Sequence, residues 1–225
     1  MRVDALFSDP QAAALAEASA HGDAARITAL VRGGVDPNVT GKDGLTPLIW
    51  ALGARNKVGM RTLLDLGADP NRVADNGLSA VTLAAGADDP QLLSILLAAR
   101  GDPNLRQRDK PALIIAVENL RWENMRRLLD QGAEIDARDA TGVTALYQTA
   151  SYNQFEQTVY LLQRGADETI PDPVGGTVAY LVDTQVVDPA SAAAGWQARA
   201  KALLSQRGVS FPAATPAQVR AATGR

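Results

Sequence analysis

Few residues in this chain of 225 could do chemistry, and their spacing argues against most of it. His21 is the only histidine, and there is no cysteine. An imidazole works as a general base when a nucleophile and an orienting acid stand beside it, and nothing in the sequence places a Ser and a carboxylate next to His21. It falls in a polar break between two apolar segments, where it reads as a surface residue. The lack of cysteine removes disulfides, thiolate metal sites, a thiol nucleophile and a lipidated cysteine from the chain as given. Asp36-Pro37-Asn38, Asp69-Pro70-Asn71 and Asp102-Pro103-Asn104 carry oxygen ligands, but a calcium loop gathers its ligands within about a dozen residues. These turns lie 33 residues apart. Gly175-Gly176 lacks the spacing and the Lys of a phosphate loop. Asp88-Asp89-Pro90 reads as a break followed by a helix start, where acids are favoured. No catalytic residue, metal or cofactor is expected.

The bulk composition agrees. Hydrophobic residues make up 46%, charged residues 21% and aromatics 4%, so a core must be built from Ala, Leu, Val and Ile. Lys plus Arg is 22 against 25 for Asp plus Glu, a net charge of −3. That balance does not draw a chain onto nucleic acid or an anionic membrane. No stretch approaches the roughly 20 apolar residues that span a bilayer. The opening Met-Arg-Val-Asp-Ala-Leu-Phe-Ser-Asp-Pro lacks the apolar core of a signal peptide. The chain as given is expected in the cytoplasm, or in the periplasm after removal of a signal.

The elements that position these residues recur. Gly34-Val35-Asp36-Pro37-Asn38 returns as phrases starting at 67, 100, 132 and 165, in steps of 33, 33, 32 and 33. Thr46-Pro47-Leu48 returns at 79, 111, 144 and 177, in steps of 33, 32, 33 and 33. An apolar pair keeps the same register: Leu30-Val31, Leu63-Leu64, Leu96-Leu97, Leu128-Leu129 and Leu161-Leu162. Thr46 can cap a helix, and Pro47 suits its first position. A helix of about nine residues, a polar break and a second helix bearing the Leu pair should follow. Gly67 or Gly132 then ends it in the left-handed conformation, and Asp-Pro-Asn opens a turn. Such a unit cannot bury its apolar face alone, so neighbours stack.

The phrases resemble the ankyrin repeat, best at Gly44 to Asn71. The resemblance implies an all-α ankyrin-repeat solenoid of about six helix-turn-helix repeats with β-turn or hairpin tips, in one domain over 1–212. The repeats run over about 11–41, 42–74, 75–106, 107–138, 139–171 and 172–212. The first lacks its leading turn. The sixth carries about nine inserted residues near 187–195, and 213–225 reads as a tail with one helical turn. The consensus His is replaced by Ile49, Thr82, Ile114, Tyr147 and Tyr180, which removes a polar bridge between adjacent turns.

In ankyrin proteins, partners usually bind the turn tips and the exposed face of the first helices, a concave surface. Carried onto this chain, that implies Lys42, Asp43 and Leu45; Asp75 and Asn76; Arg106, Arg108 and Lys110; Glu118 and Asn119; Thr141; and Ser151 and Tyr152. Trp122 lies just past Asn119. Arg106, Arg108 and Lys110 make a basic tip suited to an acidic patch, and Tyr, Trp and Arg are frequent interface anchors.

Phe7-Ser8-Asp9-Pro10-Gln11, Gly41-Lys42-Asp43-Gly44-Leu45-Thr46-Pro47-Leu48-Ile49-Trp50-Ala51-Leu52 and Tyr160-Leu161-Leu162-Gln163-Arg164-Gly165-Ala166-Asp167 look like a group of small bacterial ankyrin proteins. Members are exported to the periplasm and often encoded beside type VI secretion effectors, notably lipases. The resemblance implies an immunity protein, monomeric when free, that binds and blocks one effector enzyme. The alternative reading is a general scaffold, adaptor or stress-protection protein for another bacterial protein.

Overall fold

A computed structural model describes residues 3–224. Helices dominate, in short pairs: α1 (Pro10–His21) with α2 (Ala24–Arg32), α3 (Pro47–Gly53) with α4 (Lys57–Asp65), α5 (Ala80–Ala85) with α6 (Pro90–Ala98), and α7 (Ala112–Glu118) with α8 (Trp122–Asp130). Then come α9 (Ala145–Ser151) with α10 (Phe155–Gln163), α11 (Val178–Thr184) with α12 (Ala192–Gln206), and α13 (Pro216–Thr223). The chain divides into two compact units, the first ending at Ala133 and the second starting at Glu134.

In the first unit, first helices pack on first helices and second on second: α1 on α3, α3 on α5 and α5 on α7, with α2 on α4, α4 on α6 and α6 on α8. In the second unit α9 meets α11 and α10 meets α12. Between them run fully buried apolar side chains such as Leu15, Leu48, Leu93 and Met125 in the first unit and Phe155 in the second.

Sequence sets the helix ends. Thr46, Ser79, Thr144 and Thr177 each accept a bond from the backbone N–H three residues on, at 3.1–3.2 Å. The helices that follow are six or seven residues long, shorter than the expected nine. The polar break starts after barely two turns. Asp23, Asn56 and Asp89 cap the second helices of the first three pairs.

The Asp-Pro-Asn turns do two things. Each Asp accepts from the residue two further on, as Asp69 Oδ1 does from Asn71 N at 2.8 Å. Each Asn then reaches forward to the next unit. Asn38 donates to the Gly67 carbonyl at 2.9 Å and accepts from Asp69 N at 2.7 Å. Asn71 repeats this with Arg100 and Asp102, at 3.1 and 2.7 Å.

Gly34, Gly67, Gly132 and Gly165 end their helices at φ 103, 93, 88 and 93°, whereas Arg100 fills the same position at φ 65°. A side chain in that region costs roughly 1–2 kcal/mol, partly offset by the greater unfolded freedom of Gly. Arg100→Gly is therefore expected to stabilise the protein by about 0.5–1 kcal/mol, read as a higher urea midpoint at unchanged slope.

The two ends differ from expectation. Leu6, ahead of α1, offers its carbonyl to Lys42 N at 2.6 Å, so the residues before the first pair cover its neighbour's tip although no full leading turn is present. Val209 N bonds the Leu204 carbonyl as Ala166 N bonds that of Leu161, both at 3.0 Å. Leu204 therefore matches Leu161, 43 residues earlier, and ten residues are inserted rather than nine. Four lengthen the break and six extend α12 backwards. Residues 216–223 form two turns of helix, not one.

Candidate functional site

Four tips share one geometry. Ala74 N bonds Leu78 O at 2.7 Å, Asp139 N bonds Val143 O at 3.0 Å and Asp172 N bonds Gly176 O at 2.8 Å, each closing three residues whose last is a Gly at positive φ; Gly41 and Leu45 do the same at 2.7 Å. The tip after Asn104 is shorter. There Gln107 pairs with Lys110 and Arg106 with Pro111 around a two-residue turn. Arg108 and Asp109 both take positive φ, 48 and 65°. This is the signature of a type I′ hairpin, without the Asn-Gly that such a turn favours.

The three tips of the first unit touch. Asp75 N donates to the Asp43 carbonyl at 3.0 Å, and Arg108 Nε donates to the Asn76 carbonyl at 3.3 Å. Lys42, Asp43, Asp75, Asn76, Arg106 and Arg108 are exposed there. Leu45 is spent differently: it packs on the cluster of Phe7, Ala12, Ala13 and Ala16.

The basic tip is largely tied to its own chain. Lys110 Nζ lies 2.6 Å from a Glu118 carboxylate oxygen, and Arg106 Nη2 donates to the Asp109 carbonyl at 2.6 Å. Glu118 and Lys110 thus neutralise each other. Asn119 is exposed at the end of α7, its amide on the Ile115 carbonyl at 2.8 Å. Trp122 is half-buried in the first turn of the second helix, off the tip. In the second unit, Thr141 bonds Asp139 within its tip at 2.6 Å, Ser151 bonds the Gln148 carbonyl at 2.8 Å, and Tyr152 stands 46% exposed at the end of α9.

Beside the tips of the first unit runs a trough of 410 Å³, floored by Leu52, Leu83 and Ile115, with Gly53 and Gly86 leaving it open and Gln107 and Asn119 supplying amides. Mapping the helix ends alone misses this floor, because Leu83 and Ile115 look like ordinary core positions. Next to Asn119, Leu120 is 50% exposed at φ 57°. Gly22 and Asn153 hold the corresponding left-handed positions in other breaks. A leucine there is strained and wet, and that combination in a polar break is the signal a closer reading of the sequence could have used.

The missing consensus His does not leave every bridge unmade. Tyr147 Oη donates to Asp172 Oδ2 at 2.8 Å, while Asp172 Oδ1 accepts from Gly176 N at 2.6 Å. A phenol on the helix reaches the following tip as an imidazole would. Burial first, and then the Asp172 carboxylate, push the Tyr147 hydroxyl well above the ordinary tyrosine range. The folded state therefore resists its ionisation. Its stabilisation is present below pH ~10 and lost as pH rises beyond it. Tyr147→Phe is expected to lower stability by about 1 kcal/mol at neutral pH. In urea unfolding, the wild type should lose stability more steeply than the variant once the pH passes about 10.

His21 sits on the surface with Nδ1 2.8 Å from the Glu17 carbonyl of its own helix. Among the described residues no group of three or more His, Asp or Glu is placed to hold a metal ion, and no helix is long and apolar enough to cross a membrane.

Stacked helix pairs with projecting tips define a repeat scaffold, the class of protein that works by holding others on its surface. The family described as Ankyrin repeats (3 copies) matches residues 13–107 and again 83–172. The chain belongs to the ankyrin repeat family, whose repeats bind other proteins. Among solved structures it is similar to EF0377, an ankyrin repeat protein, at 24% identity and TM-score 0.71, over 87% of this chain and 98% of that one. It is similar also to the human ASB11 ankyrin repeat domain, at 20% identity and TM-score 0.67, over 91% and 90%. No curated protein sequence matches it.

Proposed function

We propose that the chain is a six-repeat binding protein that grips one effector enzyme, as an immunity protein of the type VI kind, in the periplasm. The observation that carries the binding reading is the trough of the first unit beside the touching tips, where Leu83 is half-buried above the buried Leu52 and Ile115, and where Leu120, next to the lining Asn119, is strained and half exposed. Asn119 lines that trough, Lys42, Asp43, Asp75, Asn76 and Arg108 are exposed on the tips of the same unit, and Tyr152 offers an aromatic anchor in the second unit. Nothing in this reading requires a reaction. The choice of an effector as target rests on the resemblance of the opening, second-repeat and Tyr160–Asp167 phrases to bacterial immunity-type ankyrin proteins. The test is to mix the chain with the effector encoded beside it. A complex on gel filtration with suppressed lipase activity is expected. No complex and undiminished activity would end the immunity reading and leave the general scaffold.

A further inference from the structure

Each tip glycine is closed over by the segment that follows it. A methyl group on Gly44 would meet the Asp75 backbone nitrogen, and one on Gly77 the Arg108 backbone nitrogen. In the second unit, one on Gly142 would meet the Pro173 ring. After Gly175 no further tip follows among the described residues, and a methyl there would meet the Pro216 carbonyl and Arg220 Cγ, both on α13. Arg220 donates to the Val174 carbonyl, the same kind of contact that Arg108 makes with Asn76 in the first unit. Helix α13 therefore occupies the seat of a next tip.

Its sequence explains why. Gly208 at φ 91° ends α12 as Gly165 at φ 93° ends α10. Thr215-Pro216 then repeats the cap-and-proline start of Thr46-Pro47, with Thr215 and Gln218 capping reciprocally. Thr215 follows Gly208 by only seven positions, where Thr177 follows Gly165 by twelve, so no tip fits between them.

The seat is shallow. No residue of α13 is buried. An 850 Å³ trough with an apolar lining, including Ala179, Val209, Pro212 and Val219, separates it from the start of α11. The segment before it is held firmly: Ala213 N donates to Asp183 at 2.8 Å, Lys201 pairs with Asp183 at 2.5 Å, and Lys201 Nζ stands 4.6 Å from the centre of the Phe211 ring. The anchored segment thus ends at 213, and the helix that follows it touches the tip through Arg220 and Pro216 but buries no residue.

We propose that α13 is a releasable ligand of the chain's own last tip. It swings about 214–215 and uncovers Pro173–Gly175 and the trough. The partner that fits the uncovered seat is a short, proline-started helix presenting a guanidinium to the Val174 carbonyl beside an apolar floor. The inference rests on the reading of tips as gripping surfaces.

The test needs no effector, so its failure is separable from failure of the immunity reading. Hydrogen exchange on the full chain should show amides of Val219 to Thr223 exchanging at least about 100-fold faster than those of Ala200 to Leu204. A labelled peptide of residues 213–224 is then titrated against the full chain and its Arg220→Ala variant. The tethered helix competes with the peptide, so weakening it should tighten peptide binding about tenfold. Equal binding to both chains, no binding to either, or equal exchange in the two helices would overturn the proposal.

Discussion

Replacing Gly59 with Ala is expected to destabilise the protein by about 3 kcal/mol, a severe case of overpacking. Gly59 lies inside α4, bonded to the cap residue Asn56 at 2.9 Å. A Cβ there would overlap the carbonyl oxygen, carbonyl carbon and Cα of Ser19 on α1. Those are backbone atoms of a helix, so no rotamer change relieves the clash. Ser19 is also fully buried, its hydroxyl on the Leu15 carbonyl at 2.6 Å. Accommodating one methyl means prising α4 off α1.

The sign makes this a sharp test. Helix propensity alone favours Ala over Gly by about 1 kcal/mol. If the helices did not meet at Gly59, the variant would be more stable than wild type. Urea unfolding decides: a midpoint at or above that of the wild type would mean the close approach is absent. Gly195, on α12 with nothing within reach of a Cβ, is the control, and Gly195→Ala should follow propensity alone.

Much of the fold is legible in the phrases that share one period, because a repeat returns a cap, an apolar pair and a left-handed helix end in one register, with Arg100 and Pro111 as the departures from glycine and cap. Even the irregular tip is written there. Counting from Gly67 to Arg100 gives 33 residues, and from Ser79 to Pro111 gives 32, so one residue is missing between 100 and 111. That is where the two-residue turn at Arg108-Asp109 stands. What periodicity hides is the reach of side chains between units. Asn38 bonds residues 29 and 31 positions further on, which no local turn rule predicts. Tyr147 looks like a lost bridge by comparison with the consensus and proves to make one with Asp172.

The candidate site was legible by position but not by chemistry. Repeat register places Lys42, Asp75 and Arg108 on successive tips, and the structure brings those tips into contact. Register says nothing of neutralisation, however. Lys110, on the strand that closes the short hairpin, meets Glu118 at the end of α7, a pairing that the repeat register does not announce. Leu45 is drawn inward because residues ahead of the first helix pair pack against it. The trough floor escapes sequence reading for a related reason: Leu83 and Ile115 carry the types and spacing of core residues, and only the gap left by Gly53 and Gly86 opens them.

Asn124→Asp is the second large effect expected, about 3–4 kcal/mol at neutral pH, in the range for a buried group left without its bonds. Asn124 lies on α8 and is 1% exposed. Its Nδ2 donates to the carbonyls of Ala84, Ala85 and Ala87, at 3.1, 3.0 and 2.9 Å. These carbonyls stand at and just past the end of α5, where the chain's own break supplies Ala87 N to the Ala84 carbonyl at 3.1 Å and the side-chain amide adds to it. A side-chain amide from the next pair thus completes the closing of a neighbouring helix, which the break after α5 begins with the Ala87 N–H. Aspartate has the same shape but replaces the donor with a charged acceptor facing three carbonyls, in a place that water does not reach. Burial and those dipoles hold such a carboxyl protonated, so its folded pKa stands above its unfolded one. A stability difference of that sign is smallest below the unfolded pKa of about 4 and grows as pH rises. Urea midpoints of Asn124→Asp should therefore approach the wild type at acid pH and fall away towards neutrality, while Asn124→Ala, which removes the donor and adds no charge, should lose a smaller and pH-independent amount. A pH-independent gap for the aspartate variant would show that the amide does not face those carbonyls, and the closure of α5 would then have to come from its own break.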